Sequence, residues 1–433
     1  LILFGVLAFK QLSALILAPL VTIFVIVFSG LASGSEIAIL ASLKNDFMPA
    51  ASSYVTSYFL TFFVGALFGA VYQFTGAAKS IAKFLAGLCH GKLVAPIVMT
   101  ITGILTYGGV SGFVVFFVIY PIALQLFRQA NLTRRLIPAA ISAGCWTWSM
   151  YGPGSPSIQN VIPIESLGTT PTAALVPSVI ATVASFVMIF VWLEYRARSF
   201  TKRGYFFDDP RLKMQLSPEE LQEDDPNEVL PNPIVALVPI VVILVLINIV
   251  GLPVETAVFI GVALATILFF TRIEGGINGW IKVFNKGAAD SGVSILNTAI
   301  VVGFGGVVKG TQGFADLVEA LKHLNMHPLF FVMITVAICA GACGSASGGM
   351  GVAFDALKDT YAALGATMPQ VHRIAAIAAG TLDTLPHQGA QITLLGICKM
   401  THKEAYFDIM VTQIIIPFIA CFLFIGLSVM GLC

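Results

Sequence analysis

The sequence predicts an all-α polytopic membrane protein composed of two inverted repeats. Of its residues 57% are hydrophobic and only 10% are charged, with a mean hydropathy of +0.92, which excludes an ordinary soluble domain. Two stretches about 235 residues apart share one pattern of apolar helices and Gly/Ser or Pro/Gly breaks. We therefore expect each half to hold five crossings, one of them broken, plus one re-entrant hairpin, and an odd number of crossings inverts the second half.

The broken helices carry the clearest part of the repeat. The sequence reads AAISAG from Ala139 and AAIAAG from Ala375, and about ten residues later each stretch contains a break, GPGSP or LPHQGA. Lipid does not tolerate unpaired backbone groups or a charge, so such a helix must line a protein cavity. Upstream, VMTITGILTYGGVSG from Val98 parallels VMITVAICAGACGSASGG from Val332, which predicts a helical hairpin with a Gly/Ser tip in each half.

The elements follow in the same order in both halves. In the first repeat, 1–195, we expect the end of a helix that begins before Leu1 at 1–10 and crossings at 12–29 and 54–76. A hairpin at 93–128, a broken helix at 136–166 and a last crossing at 172–195 are predicted to follow. The polar segment 196–233 is predicted to link the halves and to carry a short surface helix capped by Ser217. In the second repeat, 234–433, the predicted elements are crossings at 234–250, 254–271 and 288–308, an amphipathic piece at 314–324, a hairpin at 328–361, a broken helix at 373–397 and a crossing at 406–430.

The basic residues support this topology. If the linker is cytoplasmic, the predicted inner loops carry most of the 23 Lys and Arg residues. The exceptions on the outer side are Lys44, Lys309, Lys322, Lys358 and Arg373. By the positive-inside rule both termini are then outside, the first hairpin opens inward and the second opens outward.

Inverted repeats, broken helices and hairpin tips that meet inside the membrane are typical of a secondary transporter. The N-termini of half-helices present free N–H groups and a positive dipole end, which suit a carboxylate, and hydroxyls at the tips suit a hydroxylated anion. The candidate substrate-binding residues are Gly109, Ser111, Gly112, Ser155, Ser157, Asn160, Ser345, Ser347, Gly348, Thr384 and Gln388.

Asp383 and His387 are the predicted coupling residues. They lie four residues apart around the second break, where they are expected to share a proton or an ion pair, and histidine titrates near neutral pH. The alternative is that the pair only fixes the break by hydrogen bonds. Arg373, at a predicted helix end, is interpreted as a topology anchor.

Other classes fit less well. The Gly109–Gly112 stretch matches the GxSG of intramembrane serine proteases, but a protease gives no reason for a second tip or a duplication. A channel is a further alternative, which flux that saturates at low substrate and accumulates against a gradient would exclude. No enzymatic activity, cofactor or nucleic-acid partner is expected. No metal site is expected either, because Cys339 and Cys343 lack further ligands at metal-binding spacing.

The residues RRLIPAA, PGSPSIQNVIP and GTTP in the first half, with LDTLPHQGAQITLL and MTHKEAYFDI in the second, resemble the gluconate permease (GntP) family of the ion transporter superfamily, and its hydroxybutyrate permease branch in particular. The resemblance covers nearly the whole chain. It implies proton symport of a small hydroxylated monocarboxylate, such as 3-hydroxybutyrate or gluconate, across the bacterial inner membrane. It also implies an elevator mechanism and a homodimer embedded in lipid. A sodium-coupled di- or tricarboxylate carrier is the alternative, but its tips would be rich in Asn. The aromatic stretch containing Trp146, Trp148 and Tyr151 favours a short substrate.

Overall fold

The computed structural model describes residues 2–10, 12–34, 36–89, 92–108, 112–155, 157–216, 229–323 and 326–432. Throughout these ranges the regular secondary structure is helical. The predicted surface helix at Ser217 and the first hairpin tip at 109–111 lie outside the described residues.

The first half contains eleven α-helices among the described residues. They are α1 (Ile2–Phe9), α2 (Ala14–Ser33), α3 (Ile39–Ser42), α4 (Met48–Phe74), α5 (Ala77–Cys89), α6 (Val94–Tyr107), α7 (Gly112–Gln129), α8 (Ile137–Trp146), α9 (Trp148–Tyr151), α10 (Ile158–Leu167) and α11 (Leu175–Lys202). A π-helical turn at Leu43–Phe47 joins α3 and α4 into one helix of 36 residues.

In the second half, from Pro233 onward, long helices are followed by a short amphipathic helix, a helix pair and a helix with a break. Its described helices are α12 (Pro233–Val245), α13 (Val254–Leu268), α14 (Gly276–Lys309), α15 (Gln312–Lys322), α16 (Pro328–Cys343), α17 (Ala346–Ala363), α18 (Met368–Leu382), α19 (Gly389–Ile397), α20 (His402–Met410) and α21 (Ile416–Val429). A π-helical turn at Val411–Ile415 joins α20 and α21.

Six helices in the described ranges are long and apolar enough to cross a membrane. They are Ala14–Ser33, Ile39–Phe74, Gly112–Gln129, Leu175–Lys202, Gly276–Lys309 and His402–Val429. The chain is thus an all-α polytopic membrane protein. The inversion of one half relative to the other stays a prediction.

The two longest helices, α3–α4 and α14, pack against each other because glycines on α14 bring the backbones close. A Cβ at Gly303 would lie 2.9 Å from the Phe47 carbonyl oxygen, and one at Gly306 would lie 3.1 Å from that of Asp46. The sequence prediction began this helix only at residue 54, since Lys44, Asn45 and Asp46 weaken the apolar signal. These three residues are exposed, and the buried Phe47 beside them packs against α14.

The hairpin and broken-helix predictions agree with the observed helix ends to within a few residues, except that the second broken helix begins earlier, at Met368. Helices α6 and α7 form the first pair, and α16 and α17 form the second. The first broken helix is interrupted between α9 and α10, where Gly154 has a φ of +85° that a side chain would disfavour. Helix α5 was not predicted, because its apolar residues follow a one-sided, amphipathic pattern.

The last helix of the first half extends beyond its predicted end at residue 195, through Lys202. The Arg196 guanidinium makes a bidentate ion pair with Asp408 of α20, with Nε–Oδ1 and Nη2–Oδ2 distances of 2.6 and 3.1 Å. The Trp192 indole donates to the same carboxylate at 3.1 Å. These contacts fix the end of α11 against α20, so the connection between the halves begins after Lys202, later than the charge pattern indicates.

Candidate functional site

The break in the second half centres on Asp383, which follows the last residue of α18 and is 5% exposed. Its carboxylate accepts a hydrogen bond from Thr384 Oγ1 at 3.1 Å and from Gln388 Nε2 at 2.8 Å. The backbone N–H of Ala346, the first residue of α17, also donates a hydrogen bond to this carboxylate. Among the described residues no basic side chain is paired with this carboxylate. Asp383 therefore joins the break to the second hairpin tip through neutral donors alone.

The rest of this break is fixed by the N-terminal part of α20. The Tyr406 hydroxyl donates to the Thr384 carbonyl at 3.1 Å, and His402 Nε2 donates to the Pro386 carbonyl at 3.0 Å. Buried carbonyls that leave a helix need such donors. This explains how a helix interrupted inside a membrane protein keeps a defined shape.

His387 lies under the second hairpin tip rather than beside Asp383. Its Nε2 donates to the Gly341 carbonyl at 2.9 Å, and its ring packs on Phe4 and Phe304. Gly344 makes room for it, since a Cβ there would lie 3.1 Å from the ring and its φ of +61° favours glycine. The two predicted coupling residues thus have separate partners, and no ion pair joins them among the described contacts.

At the second tip, the predicted residues cap α17. Ser345 Oγ accepts from the Gly348 amide at 3.2 Å and lies 3.4 Å from Ser347 Oγ. A Cβ at Gly348 would lie 3.1 Å from Nζ of Lys309, at the end of α14. The tip thus combines hydroxyls, a helix N-terminus and a nearby ammonium group, all of which attract an anion.

At the first tip, Gly109 and Ser111 lie outside the described residues, while Gly112 begins α7. A Cβ at Gly112 would lie 2.9 Å from the indole nitrogen of Trp146. The Trp146 carbonyl in turn lies 3.4 Å from the Cβ position of Gly380 on α18. Trp146 therefore brings the start of α7 and the two broken helices to one place, next to Asp383.

The predicted residues of the first break form a second cluster that caps α9. Ser157 Oγ donates to the Met150 carbonyl, and Asn160 Nδ2 donates to the same oxygen at 2.8 Å. The Ser157 amide donates to Ser155 Oγ at 3.4 Å. These side chains are already engaged in holding the break.

Arg373, interpreted from sequence as a topology anchor, is in fact fully buried. Its Nη1 donates to the Tyr151 carbonyl and, at 2.7 Å, to Asn160 Oδ1, and its Nη2 donates to the Pro171 carbonyl at 3.2 Å. His372 Nε2 donates to the same Asn160 oxygen at 3.1 Å. The guanidinium joins α18 to the first break without a carboxylate partner. The only sequence signal was the pair of basic residues inside an otherwise apolar helix.

Helix α18 spans both clusters. Arg373 and Asp383 are ten residues apart, which is about 15 Å along an α-helix. The sequence prediction placed all candidates in one site, whereas the structure groups Ser155, Ser157 and Asn160 around Arg373, and Gly112, the second tip and the second break around Asp383.

A cavity of about 380 Å³ lies beside α19, between α4, α7 and α14. Ser294, Asn297 and Thr393 contribute polar atoms to its wall. The Lys286–Asp290 ion pair, with an Nζ–Oδ1 distance of 2.5 Å, lies on the same lining. The cavity therefore places these polar groups beside α19.

A set of membrane-length helices with two internal breaks, each of which buries ionisable groups, defines a polytopic membrane protein of the transporter class. No family model matches the chain. Over 94% of its length, however, the chain is 30% identical to the uncharacterized transporter YxjC of Bacillus subtilis (strain 168), of which the match covers 93%. The chain belongs to the family of this transporter.

Proposed function

We propose that this transporter takes up a small hydroxylated monocarboxylate, of the 3-hydroxybutyrate or gluconate type, by proton symport through an elevator mechanism. The observation that carries the proposal is the buried carboxylate of Asp383, which has only neutral hydrogen-bond donors around it. Intramembrane ionisable groups without a counter-charge are typical of proton and ion relays.

Asp383 suits a proton carrier because burial without a counter-charge makes its charged form costly, and binding of a proton removes that cost. As a carboxylate it accepts from Thr384 and Gln388, and desolvation makes the charge costly. Proton uptake removes that cost, and the Gln388 amide need only turn over to accept from the new hydroxyl. His387, which holds the second tip through the Gly341 carbonyl, is the proposed second coupling residue, because its protonation state alters that contact.

The substrate carboxylate is proposed to lie at the second tip. The N-terminus of α17 and the ammonium group of Lys309 supply positive potential there, while Ser345 and Ser347 supply hydroxyls. The cavity beside α19 is then the route on the cytoplasmic side.

In the elevator proposal, the hairpins and broken helices move as one body against α4 and α14, and the scaffold forms a homodimer. The contacts of Arg373 and Trp146 between the two broken helices support their movement as one body. On α11, Val183, Val187 and Val191 are exposed on one face, which suits contact with lipid.

The test is uptake of labelled 3-hydroxybutyrate into proteoliposomes, with an inward proton gradient or an inward sodium gradient imposed separately. We expect accumulation with the proton gradient alone. Asp383→Asn should lower that accumulation at least about tenfold while still exchanging substrate across the membrane, because an amide cannot release a proton. Asp316→Asn, which changes an exposed carboxylate on α15, is the matched control and should behave as wild type.

Accumulation driven only by sodium would replace this proposal with a sodium-coupled carboxylate carrier. Unchanged proton-driven accumulation in Asp383→Asn would remove Asp383 from the coupling mechanism and leave His387→Ala as the next variant to measure.

A further inference from the structure

Three buried glutamines carry an amide oxygen without a hydrogen-bond partner. They are Gln159, Gln388 and Gln391, which are 4%, 8% and 0% exposed. Gln159 lies in the first turn of α10, Gln388 caps α19, and Gln391 lies in the first turn of α19. Each is thus at the start of a half-helix that follows a break. A buried acceptor without a donor is costly, so this recurrence points to a donor supplied by a ligand.

The orientation of the Gln391 amide is fixed by a chain of hydrogen bonds. Ser142 on α8 donates to the Pro138 carbonyl at 2.6 Å, so its oxygen accepts from Gln413 Nε2, also at 2.6 Å. The Gln413 oxygen then faces Gln391 and accepts from Gln391 Nε2 at 2.9 Å. The Gln391 amide nitrogen is therefore occupied as a donor to Gln413, and the Gln391 oxygen must point away from this chain of hydrogen bonds.

While Asp383 is charged, the Gln388 amide is oriented in a similar way, because its Nε2 donates to the Asp383 carboxylate. Gln388 and Gln391 are three residues apart and so lie on the same face of α19. Both residues carry an amide oxygen without a hydrogen-bond partner, and Gln388 links this face of α19 to Asp383. The contact of Gln413 with Ser142 places this face against the first broken helix.

A hydroxyl group satisfies these oxygens better than a cation does. Sodium would need several further oxygen ligands and a compensating negative charge, as hard cations generally do. Both oxygens of the Asp383 carboxylate already accept hydrogen bonds, from Thr384 and Gln388. No cluster of acidic, histidine or cysteine side chains that would hold a metal occurs in the described part of the chain. A neutral hydroxyl donor requires neither.

We infer that the Gln391 amide oxygen accepts a hydrogen bond from a hydroxyl group of the transported acid, and that Gln413 is the positioning residue that aims this oxygen. The inference rests on the proposed function and makes Gln391 the residue that separates hydroxy acids from their deoxy analogues. Gln413 lies in the π-helical turn at Val411–Ile415, and such turns are frequent at functional sites.

The experiment compares 3-hydroxybutyrate with 3-fluorobutyrate as competitors of labelled 3-hydroxybutyrate uptake in proteoliposomes. Fluorine resembles a hydroxyl group in size but cannot donate. In the wild type the fluoro acid should bind about tenfold more weakly, the cost of one unsatisfied neutral acceptor. In Gln391→Met this ratio should fall below about twofold. Gln312→Met, which removes an exposed glutamine, should keep the wild-type ratio.

Gln413→Met tests the positioning role. It should lower the ratio as Gln391→Met does, and the double variant should be no lower than Gln391→Met alone, because both act on one oxygen. A purely structural role for Gln413 would instead weaken the binding of both competitors equally and leave the ratio unchanged.

Equal binding of the two acids by the wild type overturns the inference without any variant, so a failure of Gln391→Met to fold does not protect it. An unchanged ratio of binding of the two acids in a folded Gln391→Met variant also overturns the inference. If the variant changes the sodium requirement but not this ratio, the Gln391 oxygen is a cation ligand and the inference is wrong. If the wild type takes up no 3-hydroxybutyrate, the proposed substrate class fails, and this inference fails with it.

Discussion

Replacement of Arg373 by alanine is the most direct test of how the two broken helices are held together. The guanidinium is fully buried and donates to the Tyr151 carbonyl, to Asn160 Oδ1 at 2.7 Å and to the Pro171 carbonyl at 3.2 Å. Hydrogen bonds from a charged donor contribute about 1.5–3 kcal/mol each, but burial of the charge costs part of that gain. Arg373→Ala leaves three buried oxygen acceptors without this donor, at about 1–3 kcal/mol each, and removes the cost of the buried charge, so we expect a net loss of about 3–5 kcal/mol.

The assay is thermal unfolding of the purified protein in detergent, followed by intrinsic fluorescence and by the monodispersity of the sample. At an unfolding entropy of about 2 cal/mol/K per residue, the expected loss corresponds to a decrease in Tm of roughly 3–5 °C for a chain of this length. Arg198→Ala is the matched control, because Arg198 is 69% exposed and pairs only with Glu194 on its own helix. Exposed pairs of this kind contribute about 0–1 kcal/mol, so its Tm should stay within about 1 °C of wild type.

The reasoning is refuted if Arg373→Ala and Arg198→Ala unfold at the same temperature. A variant that keeps the wild-type Tm but loses substrate affinity would show instead that Arg373 binds the anion directly.

Two further predictions concern packing and the end of α11. Gly144→Ala should yield little folded protein, since its Cβ would lie 1.7 Å from Thr102 Oγ1. Gly292→Ala on α14, whose Cβ would meet nothing within 4 Å, should be neutral or raise stability by up to about 1 kcal/mol. Equal yields of the two variants in size-exclusion chromatography would contradict this. Asp408→Ala should destabilise the fold by about 3–5 kcal/mol because it leaves the Arg196 guanidinium without its bidentate partner. Thermal unfolding that recovers in Arg196→Met/Asp408→Ala would confirm that the unpaired charge is the cause, and no recovery would argue against it.

Part of the candidate site could be predicted because it depends on local chemistry. Pro386 cannot continue the preceding helix without a break, and Asp383 is too polar for lipid, so the sequence places a break and a candidate functional carboxylate at this point. The same reasoning located the first break and the second hairpin tip. Helices end and begin again at these points in the structure, while the division into repeats and the roles of these residues in binding and coupling stay predictions.

The partners of these residues could not be predicted. Asp383 and His387, four residues apart, were expected to interact, but a break abolishes the regular geometry that would bring such side chains together. His387 instead donates a hydrogen bond to the Gly341 carbonyl of the neighbouring hairpin. Arg373 was assigned to the surface because positive charge at a helix end usually anchors topology, yet its main acceptors lie more than two hundred residues away in sequence.

The sequence by itself determined that this is a helical membrane protein, where its helices are interrupted, and which residue types occupy the interruptions. Length, hydropathy and the conformational limits of Pro and Gly act within a few residues, so they can be read from the chain directly. Only the tertiary structure decided that Arg373 is buried, that Gln391 presents a free oxygen, and that two clusters about 15 Å apart share α18. The physical reason is that burial and hydrogen-bond satisfaction depend on groups supplied by distant segments, whose positions follow from the packing of the whole fold.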